Sequence, residues 1–221
     1  MGVASTPTRI KFCGLTRPSD AERALELGAW AVGLIFYPRS PRRVEMAAAA
    51  EIAGVCKRRA ELVGVFVNPT LEYVVQTAEV LDLTMIQLHG DEGPAFCSET
   101  ARRTGAKVIK AARVRDRADI QALGPFHTDF HLFDSYAPGL PGGTGETFAW
   151  ELAAAHRRSV PVILSGGLNP ENVGEAIATV RPFAVDVASG VEFSPGRKDP
   201  AKLDAFARAV ALAGAEEVVP S

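Results

Sequence analysis

Cysteine is scarce in this sequence, and its placement excludes two of its common uses. Only three cysteines occur among the 221 residues, and no two of them form a C-x-x-C pair. They are Cys13, Cys56 and Cys97. An odd, scattered set argues against a disulfide framework and against a structural zinc site. Because such a set is typical of a reducing compartment, we expect a cytoplasmic protein.

Long apolar runs and an excess of one charge are also missing. No apolar run approaches the roughly 20 residues needed to span a membrane. The formal net charge is −2, so no basic field is present to attract a nucleic-acid backbone. We therefore expect neither a membrane nor a nucleic-acid partner. Aromatic residues make up only 7% of the chain but hydrophobic residues 47%, which is enough for a large aliphatic core.

The chain repeats a short aliphatic run, a turn residue and a stretch with apolar residues at helical spacing. Strands separated by helices pair in parallel through right-handed crossovers. About eight such units at this length are typical of a closed (β/α)8 barrel, the TIM barrel. The predicted strands are Arg9–Phe12, Ala31–Ile35, Leu62–Phe66, Met85–Leu88, Lys107–Lys110, Phe130–Phe133, Val162–Leu164 and Ala184–Val187. The predicted helices are Ser19–Leu27, Glu45–Lys57, Thr70–Leu81, Ala95–Arg103, Asp116–Leu123, Ala149–Arg157, Glu171–Thr179 and Ala201–Ala213.

An open, doubly wound sheet is the alternative fold, because its local pattern is the same. The first turn, Phe12-Cys13-Gly14-Leu15-Thr16, lacks the G-x-G-x-x-G fingerprint of dinucleotide-binding sheets. The sequence contains no evident linker or low-complexity tract. We therefore predict an α/β protein with a single (β/α)8 barrel domain over residues 1–221. Residues 1–8 and the tail from about 215 to 221 look dispensable for the fold.

Polar residues follow the predicted strands at the place where a barrel gathers its catalytic groups. In this fold those groups lie at the carboxyl ends of the strands and on the loops that follow. The residues in question are Cys13, Arg42, Gln87, His89, Asp134, Ser165, Asp186 and Ser189. Their convergence on one end of the barrel carries more weight than any single motif, and it predicts an active site there.

Two small-residue turns follow the last two strands. The first contains Gly166 and Gly167 and leads towards a helix, and the second contains Ser189 and Gly190. Glycine lets backbone N–H groups approach an anion closely, and a helix N-terminus adds a favourable dipole. Barrels often hold a substrate phosphate between these loops, so we predict a phosphate site. The alternative is that the glycines only make tight turns.

Cys13 and Asp134 are candidates for proton transfer. Because strand side chains alternate, Lys11 and Cys13 face the barrel interior while Ile10 and Phe12 pack outward. A thiolate can act as a general base, and a carboxylic acid can donate a proton. The residues alone leave alternatives open, since a lone cysteine is more often a small buried hydrophobe and Asp134 could cap a loop.

The segment after Asp134 is rich in glycine and proline. It runs from Ser135 to Gly145, and three of its last four residues are glycine. This composition indicates either a mobile cover over the ligand or a flexible connector.

Several motifs resemble one known family. Lys11-Phe12-Cys13-Gly14-Leu15-Thr16 is similar to the opening motif of phosphoribosylanthranilate isomerases, with Phe12 in place of an aliphatic residue. Matching segments follow in the same order: 33–42, 63–68, 86–92, 142–148, Leu164–Asn172 and Val185–Asp199. The resemblance extends from Arg9 to about Val210. One further departure is Ala149, which stands where an aspartate is common.

The resemblance implies an Amadori rearrangement of N-(5-phosphoribosyl)anthranilate to a carboxyphenylamino-deoxyribulose phosphate, a step of tryptophan biosynthesis. By resemblance, Cys13 is the general base that removes the sugar C2 proton, and Asp134 is the general acid that opens the furanose ring. Arg42 would bind the anthranilate carboxylate, because a planar guanidinium suits a planar anion. The implied chemistry requires no cofactor and no metal. The partner is a small phosphorylated substrate, and the protein is a monomer or a homodimer.

Gln87, His89 and Asp186 are predicted to contact the substrate, each with an alternative. His89 lacks a second histidine or a carboxylate at ligand spacing, so a structural or substrate-contacting role is favoured over a metal site. Asp186 faces inward on the last strand, next to the first strand of a closed barrel. It could pair with Lys11, since a buried ammonium needs a counter-charge, or contact the sugar.

Two other functions are compatible with parts of this pattern. A sister barrel enzyme acting on another phosphorylated ribose compound would keep the phosphate glycines but need not keep Cys13, Arg42 and Asp134. A noncatalytic barrel would bind a phosphorylated ligand and turn nothing over. Because fold does not settle function, the site residues have to decide between them.

Overall fold

Eight parallel strands close into a barrel. The computed structural model describes residues 7–134, 150–154 and 160–216. In the barrel each strand pairs with the next along the chain, and the last pairs with the first. The strands are β1 (Arg9–Cys13), β2 (Ala31–Ile35), β3 (Glu61–Phe66), β4 (Met85–Leu88), β5 (Lys107–Arg113), β6 (Phe130–Asp134), β7 (Val162–Ser165) and β8 (Ala184–Val187). The (β/α)8 prediction is confirmed, and the open sheet is excluded.

Helices follow the strands where they were predicted, with ends that differ by no more than three residues where both ends are described. They are α1 (Pro18–Glu26), α2 (Met46–Cys56), α3 (Leu71–Leu81), α4 (Pro94–Thr104), α5 (Arg117–Ala122), α6 (Val173–Val180) and α7 (Pro200–Glu216), and residues 150–154 are also helical. Capping explains several starts: the side chains of Thr70 and Asp116 accept hydrogen bonds from the first turns of α3 and α5. None of the described helices is long and apolar enough to cross a membrane. The predictions for the two tails stay predictions.

The alternation of β1 creates two separate apolar layers. Ile10 and Phe12 belong to the layer between the strands and the helices, where the Phe12 ring meets Phe206 of α7 edge-on at 6.2 Å. Cys13 belongs to the barrel interior. The other buried apolar residues of that interior are Ala31, Val63, Val65, Met85, Ile109, Ala111, Phe130, Leu132, Ile163 and Ala184. The predicted orientation of β1 is therefore confirmed.

The amino end of the barrel is closed by aromatic rings. Trp30 meets Phe130 and Phe183 edge-on at centroid distances of 5.5 and 5.2 Å, and the Arg9 guanidinium lies 4.2 Å from the Phe183 ring. This end is packed for stability, so the opposite end is where the substrate chemistry is expected.

A short hairpin after β8 was not predicted. The 3-10 helix Ser189–Val191 leads into β9 (Glu192–Ser194), which pairs antiparallel with β10 (Arg197–Lys198). The turn of this hairpin is fastened to the loop after β1, because the Thr16 hydroxyl donates to the Gly196 carbonyl at 2.5 Å. The hairpin therefore lies beside the carboxyl ends of β1 and β8.

Candidate active site

A cavity of about 450 Å³ lies at the carboxyl ends of the strands. It is lined by nine of the ten predicted site residues, namely Cys13, Arg42, Gln87, His89, Asp134, Gly166, Gly167, Asp186 and Ser189. The exception is Gly190. A larger groove of about 880 Å³ lies at the other end of the barrel, between α2 and α3. The cavity at the carboxyl ends is the better candidate, because thiol, carboxylate, imidazole and guanidinium groups from five separate strand ends and their following loops converge on it.

Cys13 ends β1 with its side chain inside the barrel mouth. It pairs in register with Gly33 of β2. A Cβ atom at position 33 would lie only 2.7 Å from the Cys13 sulfur, so the missing side chain of Gly33 provides the space for the thiol. Sequence reasoning missed this role of Gly33. Burial raises the pKa of Cys13 above its ordinary value of 9.0, and the nearby Lys11 and Lys198 offset only part of that effect.

Lys11 and Asp186 form a buried ion pair beneath Cys13. Lys11 Nζ lies 2.6 Å from Asp186 Oδ1, and neither side chain is more than 6% exposed. Ser165 donates to the second oxygen of Asp186 at 3.0 Å. Burial lowers the pKa of Lys11, but Asp186 and Cys13 more than reverse the effect, so that the pKa is raised. The predicted pair is present, and Asp186 also lines the cavity. Its carboxylate offsets part of the effect that the positive charge of Lys11 has on Cys13.

Gln87, His89 and Asp134 form a chain of polar contacts across the ends of β4 and β6. The Gln87 Nε2 and His89 Nδ1 atoms are 2.9 Å apart, and His89 Nε2 lies 3.5 Å from Asp134 Oδ2. With the amide donating to Nδ1, the ring proton is on Nε2 and points towards the aspartate. Gln87 is buried, and its Oε1 has no hydrogen-bond partner among the described residues. This oxygen is a candidate acceptor for a ligand hydroxyl.

A second buried ion pair, between Glu92 and Lys110, fixes the backbone of the turn formed by residues 89–92. Glu92 accepts the N–H groups of Asn68 and Gly90 and pairs with Lys110 Nζ at 2.8 Å. Lys110 also donates to the Gly90 carbonyl. This support for His89 comes from residues that the sequence analysis did not single out.

Arg42 lines the cavity and is held by a residue that sequence reasoning missed. Its Nε and Nη2 atoms donate to the carboxylate of Glu192 at 2.8–3.0 Å. Glu192 also accepts from Lys198 Nζ at 3.2 Å. The only signal in the sequence was that Glu192 and Lys198 fall in the segment Val185–Asp199, which resembles the family. The predicted contact of Arg42 with a ligand carboxylate stays a prediction.

The turn after β7 has the backbone geometry expected of a glycine-dependent site. Gly166 and Gly167 have φ angles of +93° and +65°, which residues with a side chain rarely adopt. Asn172 donates to the Gly167 carbonyl at 3.1 Å and so holds the turn. One expectation needs correction: the helix that follows begins only at Val173. The N–H groups of residues 171 and 172 donate to the Asn169 side chain and are therefore occupied.

Ser189 and Gly190 begin the 3-10 helix after β8, so their N–H groups come before its first internal hydrogen bond. Ser189 lines the cavity, whereas Gly190 does not. A Cβ atom at Gly190 would collide with the Leu168 carbonyl. Gly190 thus has a packing reason to lack a side chain, and its part in phosphate binding stays a prediction. The glycine-rich segment 135–145 lies outside the described residues, as does Ala149.

Comparison with known proteins decides the family. Residues 10–209 match the sequence model of N-(5'-phosphoribosyl)anthranilate isomerase. The chain belongs to this family. A relative from Citrifermentans bemidjiense that bears the family name is 45% identical over 208 residues, which are 93% of this chain and 99% of the relative. One from Geobacter metallireducens is 46% identical over 200 residues, 90% of this chain and 97% of the relative.

Solved structures of the family agree in fold. The phosphoribosyl anthranilate isomerase of Thermotoga maritima has a TM-score of 0.83 and 41% identity, and covers 92% of this chain and 98% of its own. A second family structure, with a TM-score of 0.80 and 38% identity, covers the same shares of the two chains. It is a complex with reduced 1-(o-carboxyphenylamino)-1-deoxyribulose 5-phosphate. The resemblance found in the sequence is confirmed: this chain is an isomerase of tryptophan biosynthesis.

Proposed function

We propose that the cavity at the barrel mouth converts N-(5-phosphoribosyl)anthranilate to 1-(2-carboxyphenylamino)-1-deoxyribulose 5-phosphate, with Cys13 as general base and Asp134 as general acid. One observation carries the proposal: a thiol and a carboxyl group line the same cavity from β1 and β6. Two strands separate β1 from β6 on one side of the barrel and four on the other. One substrate can therefore lie between the two groups.

The reaction needs one proton delivered and one removed. Asp134 gives a proton to the ring oxygen, the bond between C1 and that oxygen breaks, and the substrate's own nitrogen takes up the charge as a Schiff base. Cys13 then removes the C2 proton, which leaves an enolamine that becomes the ketone of the product. The substrate nitrogen supplies the electron sink, so no cofactor and no metal enter this scheme.

Binding groups surround these two residues. The Gly166–Gly167 turn and Ser189 offer backbone donors to the phosphate. Its negative charge would also lie at the start of the 3-10 helix Ser189–Val191. Arg42 binds the anthranilate carboxylate. Gln87, His89 and Asp186 face the sugar between these ends, and the unpartnered Gln87 Oε1 accepts a ribose hydroxyl. The protein is cytoplasmic and acts as a monomer or homodimer on this small phosphorylated substrate.

The protonation of Cys13 sets the expected pH dependence. Because burial raises its pKa above 9.0, Cys13 is mainly a thiol at neutral pH. Lys11 does not reverse this, since the effect of burial is larger and Asp186 offsets part of the effect of Lys11. The base is therefore present as a small thiolate fraction, which grows as the pH rises. Because Asp134 must keep its proton at the same time, kcat/KM follows the fraction of molecules in which Cys13 is a thiolate and Asp134 is protonated.

The test follows the fluorescence of the anthranilate substrate in wild type, Cys13→Ala, Cys13→Ser and Asp134→Asn. Each loss should lower kcat by about 10²–10⁴ while product affinity stays near wild type. Cys97→Ala is the matched control, since Cys97 is a buried residue of α4 and does not line the cavity. Substantial activity in Cys13→Ala would overturn the assignment of the base.

A further inference from the structure

A buried carboxylate stands between two cations beside the cavity. Glu192 accepts three hydrogen-bond contacts from Arg42 and one from Lys198. Its side chain is 4% exposed and that of Lys198 is fully buried, whereas Arg42 is 23% exposed and lines the cavity. Exposure therefore increases from Lys198 through Glu192 to Arg42, and only Arg42 can reach a ligand in the cavity.

Glu192 has little freedom to move. The backbone N–H of Gly196 donates to its carboxylate at 3.2 Å, and Lys202 donates to its backbone carbonyl at 3.0 Å. Lys198 is itself fixed, because its Nζ also donates to the carbonyls of Cys13 at 2.6 Å and Ala188 at 2.9 Å. The hairpin thus ties the carboxylate to the ends of β1 and β8.

The stem of Arg42 is confined as well. A Cβ atom at Gly14 would lie 3.0 Å from Arg42 Cδ and 3.3 Å from its Cβ, so the stem packs directly on that glycine. Glu192 occupies the edge of the guanidinium formed by Nε and Nη2. Nη1 makes no hydrogen bond within residues 7–134, 150–154 and 160–216. The remaining donors of Arg42 are therefore left for a ligand in the cavity.

The charges of the set leave a surplus for an anion. Burial opposes the ionisation of Glu192, but the contacts with Arg42 and Lys198 outweigh it and lower the pKa of Glu192. With one carboxylate between two cations, the set carries a net charge of +1. A carboxylate ligand at Arg42 completes its neutralisation.

We infer that Glu192 is a positioning residue for substrate binding: it fixes the Arg42 guanidinium so that its free donors meet the carboxylate of the substrate, and Lys198 anchors it. The inference rests on the proposed function, since it takes the ligand of Arg42 to be the anthranilate carboxylate. Glu192 touches no reacting atom, and acts only through Arg42.

The two possible roles of Glu192, neutralising Arg42 and orienting it, predict opposite changes in KM. If Glu192 merely neutralised Arg42, then Glu192→Gln would remove a negative charge beside the anion site and would lower KM. If Glu192 orients Arg42, the same variant loosens the guanidinium and raises KM by about tenfold, with a smaller change in kcat. The two readings differ in sign, so the direction of the change decides between them.

The experiment measures KM, kcat and product affinity by anthranilate fluorescence for Glu192→Gln, Arg42→Ala and the double variant. We expect both single variants to raise KM, and Glu192→Gln to add little in the Arg42→Ala background because its effect passes through the arginine. Asp204→Asn is the matched control. It removes the carboxylate from another two-pronged arginine pair, Arg23–Asp204, which joins α1 to α7 away from the cavity.

Glu192→Asp keeps the charge next to Lys198 and covers the case in which Glu192→Gln does not fold. Its shorter side chain should also raise KM, whereas pure neutralisation predicts no change. A lowered or unchanged KM in the Glu192 variants, beside a raised KM in Arg42→Ala, would overturn the inference and leave the proposed function intact. An unchanged KM in Arg42→Ala would overturn both.

Discussion

The Cys13 thiol at the end of β1 needs space for its sulfur atom and a nearby positive charge to favour the thiolate. Different residues provide the two. Gly33 gives the space, because any Cβ there would meet the Cys13 sulfur at 2.7 Å. Lys11 gives a positive charge, but its pairing with Asp186 at 2.6 Å limits what reaches the thiol. The position of Cys13 is therefore set by packing. Its ionisation is set first by burial and then by three charged neighbours, Lys11, Asp186 and Lys198.

We predict that Gly33→Ala disturbs the base more than the fold. The new methyl group would also lie 3.2 Å from Cys13 Cα, so both the thiol and the strand must shift. Overpacking of this kind typically costs about 1–3 kcal/mol of stability. A misplaced base should reduce kcat by about 10²-fold, whereas KM should change much less.

Steady-state kinetics together with urea unfolding check this prediction. Gly54→Ala in α2 is the control, since nothing lies within 4 Å of a Cβ atom there. It should leave kcat unchanged and stabilise the helix by about 0.5–1 kcal/mol. Wild-type kcat in Gly33→Ala would show that Cys13 is either not confined by Gly33 or not the base.

At the scale of elements, the turn after β7 offers two explanations for its glycines: they relieve backbone strain, or they let the backbone contact a ligand. Gly166 and Gly167 both have positive φ, and Gly167 is held by the Asn172 side chain. The same positive φ occurs at Gly105, which ends α4 with open space around it. A substitution at either place carries the same backbone penalty, but only one of them faces the cavity.

We predict that Gly167→Ala weakens product binding by at least about tenfold, because the turn must leave its geometry and its donors lose the phosphate. Both Gly167→Ala and Gly105→Ala should lower the free energy of unfolding by about 1 kcal/mol, but Gly105→Ala should leave product binding unchanged. Titrations with phosphorylated and dephosphorylated product separate the contributions. If wild type binds both ligands equally well, the turn is not the phosphate site.

The elements themselves were largely predictable, and the reason is local. Each barrel strand is a short aliphatic run beside a turn residue, as in Ala31–Ile35 and Met85–Leu88, and both of these had their exact bounds predicted. The β9–β10 hairpin was missed because its strands have three and two residues, too few for any periodicity to appear.

The contacts of the site were less predictable than its location. The rule that barrel chemistry gathers at strand ends was enough to select Cys13, Asp134 and Arg42. The partners of Arg42 and of the Cys13 carbonyl lie 150 and 185 residues further along the chain, at Glu192 and Lys198. No local pattern encodes contacts of that separation. The Lys11–Asp186 pair was predictable because closure of the barrel brings β8 next to β1.

For the whole molecule, the barrel divides its two ends between stability and chemistry. The amino end is closed by the rings of Trp30, Phe130 and Phe183. The carboxyl end keeps charged groups next to the interior, at the cost of burying Lys11, Lys110 and Lys198 in ion pairs. Charged groups buried in this way, together with buried thiols, make the stability of the folded protein depend on pH.

We predict that the free energy of unfolding falls as the pH rises from about 8.5 to 11. Burial raises the pKa of Cys56 and of Cys97 to about 11, and raises that of Cys13 as well. Thiols in the unfolded chain titrate near their ordinary value of 9.0. Between these values the folded state holds more protons than the unfolded state, so stability decreases with pH.

The buried lysines act at the upper end of this range, and they oppose each other. The pKa of Lys11 is raised by its partners despite burial, so it adds to the loss of stability above about 10.5, whereas burial lowers the pKa of Lys198 and this has the opposite sign. The thiols should therefore dominate. A shift of two pKa units corresponds to roughly 3 kcal/mol per thiol at most.

Urea unfolding of wild type and of the double variant Cys56→Ala/Cys97→Ala, with reductant at pH 8, 9, 10 and 10.5, measures how the free energy of unfolding changes with pH. The double variant is less stable at pH 8 because of its cavities, but it should lose less stability on going to pH 10.5. Equal slopes for the two proteins would show that these thiols are not what makes the fold sensitive to alkali.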